Sequence, residues 1–480
     1  MNARRLFTVL LAAAALLVAA PSTAHFVPLA PAELVKRSEH IVVATVEAQS
    51  SRWKGNAIYT DTLLRVEDRL RGEAPERLTI SELGGSIGDE TQGTCLSVPF
   101  ELGERYLLFL ADLDRPSSIV GGRQGAIREI SGFDEIVEEV RAYLRGENPD
   151  LRAIAAAAAE GLRPSQDRYV LQEQLAVPPI VFTPLPEDSS FSPYDQQQMA
   201  YWNTYHPDLF RVGPPTGIWK VGNGVFEIGF PDSSAFDWPE GGISAIAWRM
   251  QNGHIVEADI ALNPAVPWTL DEDAATRPDG PHSFREAILG HLGEAWGMRV
   301  VIGLHQNVPE SVVGLKPQQY RLATLFSDDT AAVRAAFGGT PVRDGLISSY
   351  LARPSPLFPD YIPSRPSVPS VRRGGSFTLT GPIKIENPGT EDLVTPQVEV
   401  YLVPRRFSME NATLLRRVRV PGKIHAGAVR EVVIGRAAVP RTVPPGVYYL
   451  AFRLLVAGDE LPANDLAWSN YNVTLTVKAK

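Results

Sequence analysis

Two proline-rich stretches constrain this 480-residue chain more than any other feature. One is "VPPIVFTPLPEDSSFSP", inside residues 161–195. The other is "LARPSPLFPDYIPSRPSVPS", inside residues 346–370. Proline fixes its own φ, lacks an N–H, and pushes the residue before it toward extended backbone, so neither stretch sustains a helix or an interior strand. Both read as extended connectors. They divide the chain into modules at 25–160, 196–345 and 371–480, as expected for a length that exceeds one ordinary core.

The first residues, "MNARRLFTVLLAAAALLVAAPSTA", place Arg4 and Arg5 before an apolar run that ends on small residues. That is the layout of a cleaved secretory signal over residues 1–24, leaving His25 first and sending the chain to a secreted, periplasmic or extracellular location. The apolar run falls short of the roughly 20 residues a membrane span needs. No later segment is apolar enough, so no membrane span is expected after cleavage. The single cysteine, Cys95, excludes an intrachain disulfide, so the modules must fold on their apolar cores. With no adjacent histidine or basic cluster, Cys95 reads as a small core residue. A net charge of −9 would repel a phosphate backbone and excludes nucleic acid as a general partner.

The first module alternates short apolar runs, "HIVVATVEAQSSRW", "IYTDTLLRVEDRLRG", "RLTISELGG" and "RYLLFLADL", with polar turns. This predicts a small β-barrel or sandwich. It is followed by two helices, the first with Ile136, Val137, Val140 and Leu144 on one face. The order of elements over 30–130 resembles the netrin-like, tissue-inhibitor-of-metalloproteinases type of OB barrel, although the disulfides of that family are absent. The third module spaces its strands as a β-sandwich does. Its "IENPGTEDL", "PPGVYYLAFRLL" and "ELPANDLAWSNYNVTLTV" resemble the adhesion-type Ig-like modules of bacterial secreted proteins, which implies binding or spacing. Its one histidine, His425, reads as an ordinary surface residue.

The middle module carries the chemistry. "HIVEADIALN" (254–263), "SFREAILGHLGEAWGM" (283–298), "HQNVPESVVG" (305–314) and "FSDDTAAVRAAFGG" (326–339) follow one another as the blocks of a matrixin do. The matrixins are metzincin zinc metallopeptidases, and the resemblance covers residues 196–345. It implies an α+β domain with an edge strand that serves as a substrate platform, an active-site helix, a last zinc ligand with a Met-turn, and a closing helix. The family motif is H-E-x-x-H-x-x-G-x-x-H. Histidines at i and i+4 share a helix face and meet one zinc, and the glutamate beside them takes a proton from the bound water.

The register of Gly293, Ala295 and Gly297 puts Gly290 at the first ligand, His291 at the general base and Glu294 at the second ligand. Glycine has no side chain to donate. The third ligand falls on Val300 counting from the helix, or on His305 counting back from the Met-turn, and the second is preferred. Val313 then stands at the methionine position.

Three readings stay open. In the first, the module is a non-catalytic pseudoprotease that binds or scaffolds an extracellular protein or peptide, with an extended chain adding along "HIVEADIALN". In the second, His291, Glu294 and His305 form a rearranged zinc site, with His282 as a spare ligand. In the third, copper binds the amine and imidazole of a mature N-terminal His25, with His40 nearest in sequence. Asp271, Glu272 and Asp273 read as a solvated loop that could alternatively take calcium. Glu257 and Asp259 read as the polar face of an amphipathic strand, and Trp202, Trp248 and Trp268 as core.

Overall fold

The computed structural model describes residues 29–94, 97–114, 118–129, 132–147, 149, 151, 154, 175–215, 219–239, 241–275, 277, 280–298, 325, 327–339, 341–349, 370–469 and 474–479. The proposed signal segment and His25 lie outside these residues, as do Cys95, Val300, His305, Val313 and most of the second helix expected in the first module.

Seven strands come first: β1 His40–Lys54, β2 Ala57–Arg71, β3 Arg77–Leu83, β4 Gly85–Ile87, β5 Glu90–Thr94, β6 Arg105–Leu110 and β7 Ala126–Arg128. Helices α1 (Pro31–Arg37) and α2 (Phe133–Leu144) flank them. An antiparallel sheet runs β3-β2-β1-β6-β7. Alternation in β1 sends Ile41 and Val43 to one face and Val42, Ala44 and Val46 to the other, and both faces are buried. On the first face lies α2, through Ile136, Val137 and Val140, the side its sequence spacing marks.

The expected barrel does not close among the described strands, since β3 and β7 remain the two edges. The reason is visible in the next two strands. Instead of extending their own sheet, β4 and β5 leave it and join the sheet of the middle module.

That second sheet contains β8 (Leu175–Ala176), β9 (Ile180–Thr183), β10 (Phe210–Val212), β11 (Phe226–Gly229), β12 (Ser244–Gln251) and β13 (His254–Leu262). Its order is β10-β9-β11-β13-β12-β5-β4, with β8 beside β13. Strands β10, β9, β11 and β13 are parallel, and β12 runs antiparallel to β13. The β12–β13 hairpin turns on Asn252 and Gly253, at φ 52° and 79°. Positive φ at both central residues is the geometry that asparagine–glycine turns favour.

The helices of this module are α3 (Tyr194–Asn203), α4 (Glu272–Ala275), α5 (Phe284–Trp296) and α6 (Ser327–Phe337). Helices α3 and α5 pack on the sheet through Trp202, Phe284, Ile288, Leu292 and Trp296, against Ile246 and Ile260.

Two sequence expectations change here. Of the first connector, residues 175–195 belong to the middle module, because Ile180–Thr183 is long enough between its flanking prolines to pair on both sides. The block "HIVEADIALN" is not an edge strand, since β13 lies between β11 and β12.

The C-terminal module packs two sheets around Ile385, Val400, Ile434 and Leu454. One sheet holds Leu346–Ser349, Ser376–Glu386 and Val429–Ala438. The other includes Gln397–Val403, Thr413–Arg419, Gly446–Leu455 and Leu475–Lys478. Leu346–Ser349 comes from the stretch expected to be the second connector, and it pairs with Ile383–Glu386. The chain is therefore a β-rich, multi-module protein, and among the described residues no helix is long and apolar enough to cross a membrane.

The seam between the first two modules tests this arrangement. A Cβ on Gly93 of β5 would come within 2.9 Å of the Trp248 ring of β12. Gly93→Val should therefore push β5 off β12 and cost ~1–3 kcal/mol, the usual price of overpacking. Urea unfolding measures this, and an unchanged midpoint would mean that the seam is not close-packed.

Candidate functional site

Helix α5 is capped at both ends. Ser283 caps it, accepting from the Glu286 N–H at 3.2 Å. At the other end Gly297 has φ 122°, which frees the Met298 N–H to reach the Gly293 carbonyl at 3.1 Å.

Between these ends, His291 and Glu294 lie on one face and are buried. They meet each other. The Nδ1 of His291 is 2.8 Å from Glu294 Oε2, and its Nε2 is 2.9 Å from Ser244 Oγ on β12. One tautomer satisfies both contacts, with Nδ1–H donating to the carboxylate and Nε2 accepting the serine hydroxyl. Both ring nitrogens of the would-be ligand are thus used inside the protein. Among the described residues, no three His, Cys, Asp or Glu side chains are arranged to hold a metal ion.

Serine, histidine and an acid in this order also make the array that activates a nucleophile. Here the serine has 0% exposure, on a strand and under the helix, so the array is closed to a substrate. Nothing in the sequence marks Ser244, which is 47 residues from His291.

The remaining sequence candidates are dispersed. The ring of His282 lies 5.9 Å from that of Trp268. The Nδ1 of His40 is buried without a hydrogen-bond partner at the start of β1. His425 is an exposed surface residue, 3.0 Å from Asp392. Trp202 is core, donating to the Leu289 carbonyl at 3.0 Å; Trp248 and Trp268 are partly buried beside that core.

The acidic loop is not simply solvated. Asp271 caps α4 through the Asp273 N–H at 2.9 Å, and Asp273 pairs with Arg277 and with the buried Arg406 of the C-terminal module. Burial, with the Glu286 charge adding to it, pushes Glu272 up to about 7.

The structure most clearly revises the reading of Glu257 and Asp259. They point to one face of β13, but that face is covered, leaving them 1% and 0% exposed. The turn of the β1–β2 hairpin presses on it: a Cβ on Gly222 would come within 2.1 Å of the Asn56 carbonyl, and Tyr59 packs with Trp219 and Phe236. Glu257 Oε1 accepts the N–H groups of Gly222 and Asn223, at 2.7 and 2.9 Å. Glu227 Oε2 accepts that of Lys220 at 2.9 Å. Both oxygens of Asp259 and Oε2 of Glu257 lack a donor. Burial, and then the neighbouring Glu257, raise Asp259 well above the ordinary carboxyl range. Asp259 is thereby pushed toward its neutral form.

No family model and no curated protein matches this chain. Among solved structures, it is similar to the CARDB domain of the PF1109 protein from Pyrococcus furiosus, solved in complex with di-metal ions. That match has 12% identity over 29% of this chain and 98% of that one, with a TM-score of 0.18. It is also similar to a family 123 glycoside hydrolase from Clostridium perfringens, at 10% identity and TM-score 0.16, over 29% of this chain and 27% of that one. A third is a PapD-like domain of human CEP192, at 13% identity and TM-score 0.12, over 28% of this chain and 94% of that one. At these scores the likenesses decide neither fold nor activity.

Asp259→Asn tests the raised carboxyl of Asp259. A carboxyl raised by folding stabilises fully below its ordinary value of 3.8 and loses that contribution as the pH rises toward its folded value. The stability of Asp259→Asn relative to the natural protein should therefore improve as pH rises above about 4, by up to about 1.4 kcal/mol per pH unit. Thermal unfolding from pH 4 to 8 reads the difference, and a constant gap would remove the argument.

Proposed function

We propose that this is an exported, multi-module binding or scaffolding protein whose middle module is a matrixin-like domain without catalytic zinc. The observation that carries this reading is the closed His291–Glu294–Ser244 contact, which uses both nitrogens of the one histidine left on the helix face. The α+β arrangement, the capped helix α5 and its terminal Gly297 support the ancestry. Export rests on the sequence of residues 1–24, and the Ig-like character of the third module on its strand spacing and two-sheet core.

The mode of recognition differs from strand addition along β13, because β13 is internal and the outer side of β12 is taken by β5. Binding is left to the module surfaces and to β10, the outer strand at the other end of the sheet among the described residues. There Val212 on β10 is 50% exposed, and Val181 on β9, opposite Arg211, is 45% exposed.

Metal analysis of the intact mature protein tests the reading. The expected result is substoichiometric zinc after dialysis against zinc, with no reaction at Ser244 toward a fluorophosphonate probe. Stoichiometric zinc that disappears in His305→Ala would instead establish the rearranged ligand set. Copper that disappears on removal of His25 would establish the N-terminal site. In the variant carrying both Gly290→His and Glu294→His, zinc affinity should rise at least tenfold, because the i and i+4 pair is restored.

A further inference from the structure

The middle and C-terminal modules meet around a group of acids that the proposed function does not use. Asp344, fully buried, accepts the Tyr205 hydroxyl on one oxygen and the Asn464 amide, at 3.0 Å, on the other. Tyr205 belongs to the core of the middle module, whereas Asn464 lies on a loop of the C-terminal module, so Asp344 bridges the two.

The same loop grips the connection around Asp344 from both sides. Asp459 accepts the Gly345 N–H at 2.9 Å and the Leu461 N–H at 2.8 Å. Glu460 accepts from the Arg343 N–H at 3.1 Å and returns its own N–H to the Arg343 carbonyl at 3.0 Å. Leu461 packs against the core of the middle module.

One member of the group is poorly served. Asp465 is 7% exposed, and its Oδ1 is buried without a donor. The adjacent Asn464 Oδ1 also has none. The charged groups acting on Asp465 are Asp459 and Asp344, which repel a second negative charge, and Arg453, which opposes them. Around Asp344 stand Tyr205, Asn464, Asp459 and Glu460; Tyr201 and Arg334 lie beyond Tyr205, and Arg343 is held by Glu391.

We propose that this group is a proton-operated latch between the middle and C-terminal modules. With Asp465 protonated, the 459–465 loop stays seated on Asp344 and Tyr205; loss of that proton unseats it. A neutral carboxyl sits beside Asp344 and Asp459 at little cost, whereas a carboxylate there is buried, short of a donor and repelled by both.

Burial pushes Asp465 up to about 8 and Asp344 up to about 7. The seated value of Asp465 lies above its ordinary 3.8, so its contribution is complete below that pH and is lost as the pH rises to about 8. Inside that window each pH unit weakens seating about tenfold for this one proton. The inference stands whether or not the middle module binds zinc.

The test uses the full chain with Arg211→Cys and Arg419→Cys as label sites, one on each module, in a Cys95→Ser background. Distance distributions between paired spin labels are recorded at pH 5.5 and pH 9. The natural sequence should give one narrow distribution at pH 5.5 and a second, longer population at pH 9. Asp465→Asn, which keeps the shape and removes the charge, should stay narrow at both. A distribution in the natural sequence that does not change with pH overturns the latch, as does an Asp465→Asn protein that opens to the same extent. If Asp465→Asn does not fold, the carboxyl carbon of Asp465 in the natural sequence decides by nuclear magnetic resonance. A titration midpoint near 8 supports the latch, and a midpoint in the ordinary carboxyl range overturns it.

Discussion

The pairing of β5 with β12 is the contact on which the first two modules depend. Its antiparallel ladder runs from Ala247 opposite Thr94 to Gln251 opposite Glu90. Each net hydrogen bond in such a ladder contributes about 0.5–1.5 kcal/mol. The ladder is reinforced by the Arg249–Glu90 ion pair at 2.5 Å and by the close fit of Trp248 over Gly93. Three consequences follow from this one seam. The first sheet loses the strands that would have extended it, the middle sheet loses β12 as a free edge, and the β1–β2 hairpin is brought down over the acidic face of β13. A strand donated between modules also satisfies backbone groups that an exposed edge would leave open to other chains.

Local chemistry was readable in the sequence wherever the deciding partners lie within a few residues. Helix α5 is such a case, because the block expected to be helical, residues 283–298, forms a helix over Phe284–Trp296. Helix α2 is another, since Ile136, Val137 and Val140 declare its buried side. The reading failed where a distant segment decides the environment. Polar residues alternating with apolar ones, as Glu257 and Asp259 do, describe a half-exposed strand until something covers the polar face. That cover comes from residues about 200 positions earlier, at Asn56 and Tyr59. Proline misled for a related reason. A connector rich in proline still contains Ile180–Thr183, and four residues with free N–H groups suffice for a strand when parallel partners wait on both sides.

The helix face of α5 shows how buried polar groups are accommodated. His291 and Glu294 are polar groups in a buried place and must find partners or be costly. They lie near enough along one helix face to satisfy each other, and Ser244 takes the remaining ring nitrogen. The pairing of His291 with Glu294 could be read from their spacing on one helix, but the contact with Ser244 could not, because that partner enters from another element of the fold.

The two module junctions rest on different physics, and this sets how each responds to solution conditions. The first is a backbone ladder with an apolar cluster of Tyr59, Phe236 and small alanines on β12 and β13. The Arg249–Glu90 and Lys54–Asp237 ion pairs add to these contacts. The second is built from side chains: Arg406 on Asp273, Tyr205 on Asp344, and Thr330 with Arg334 on the Pro388 carbonyl. It combines one ion pair with acids whose burial favours the neutral form. A rise of pH that ionises Asp344 and Asp465 should therefore act on the seating of the C-terminal module, whereas the N-terminal and middle modules are joined by their shared sheet.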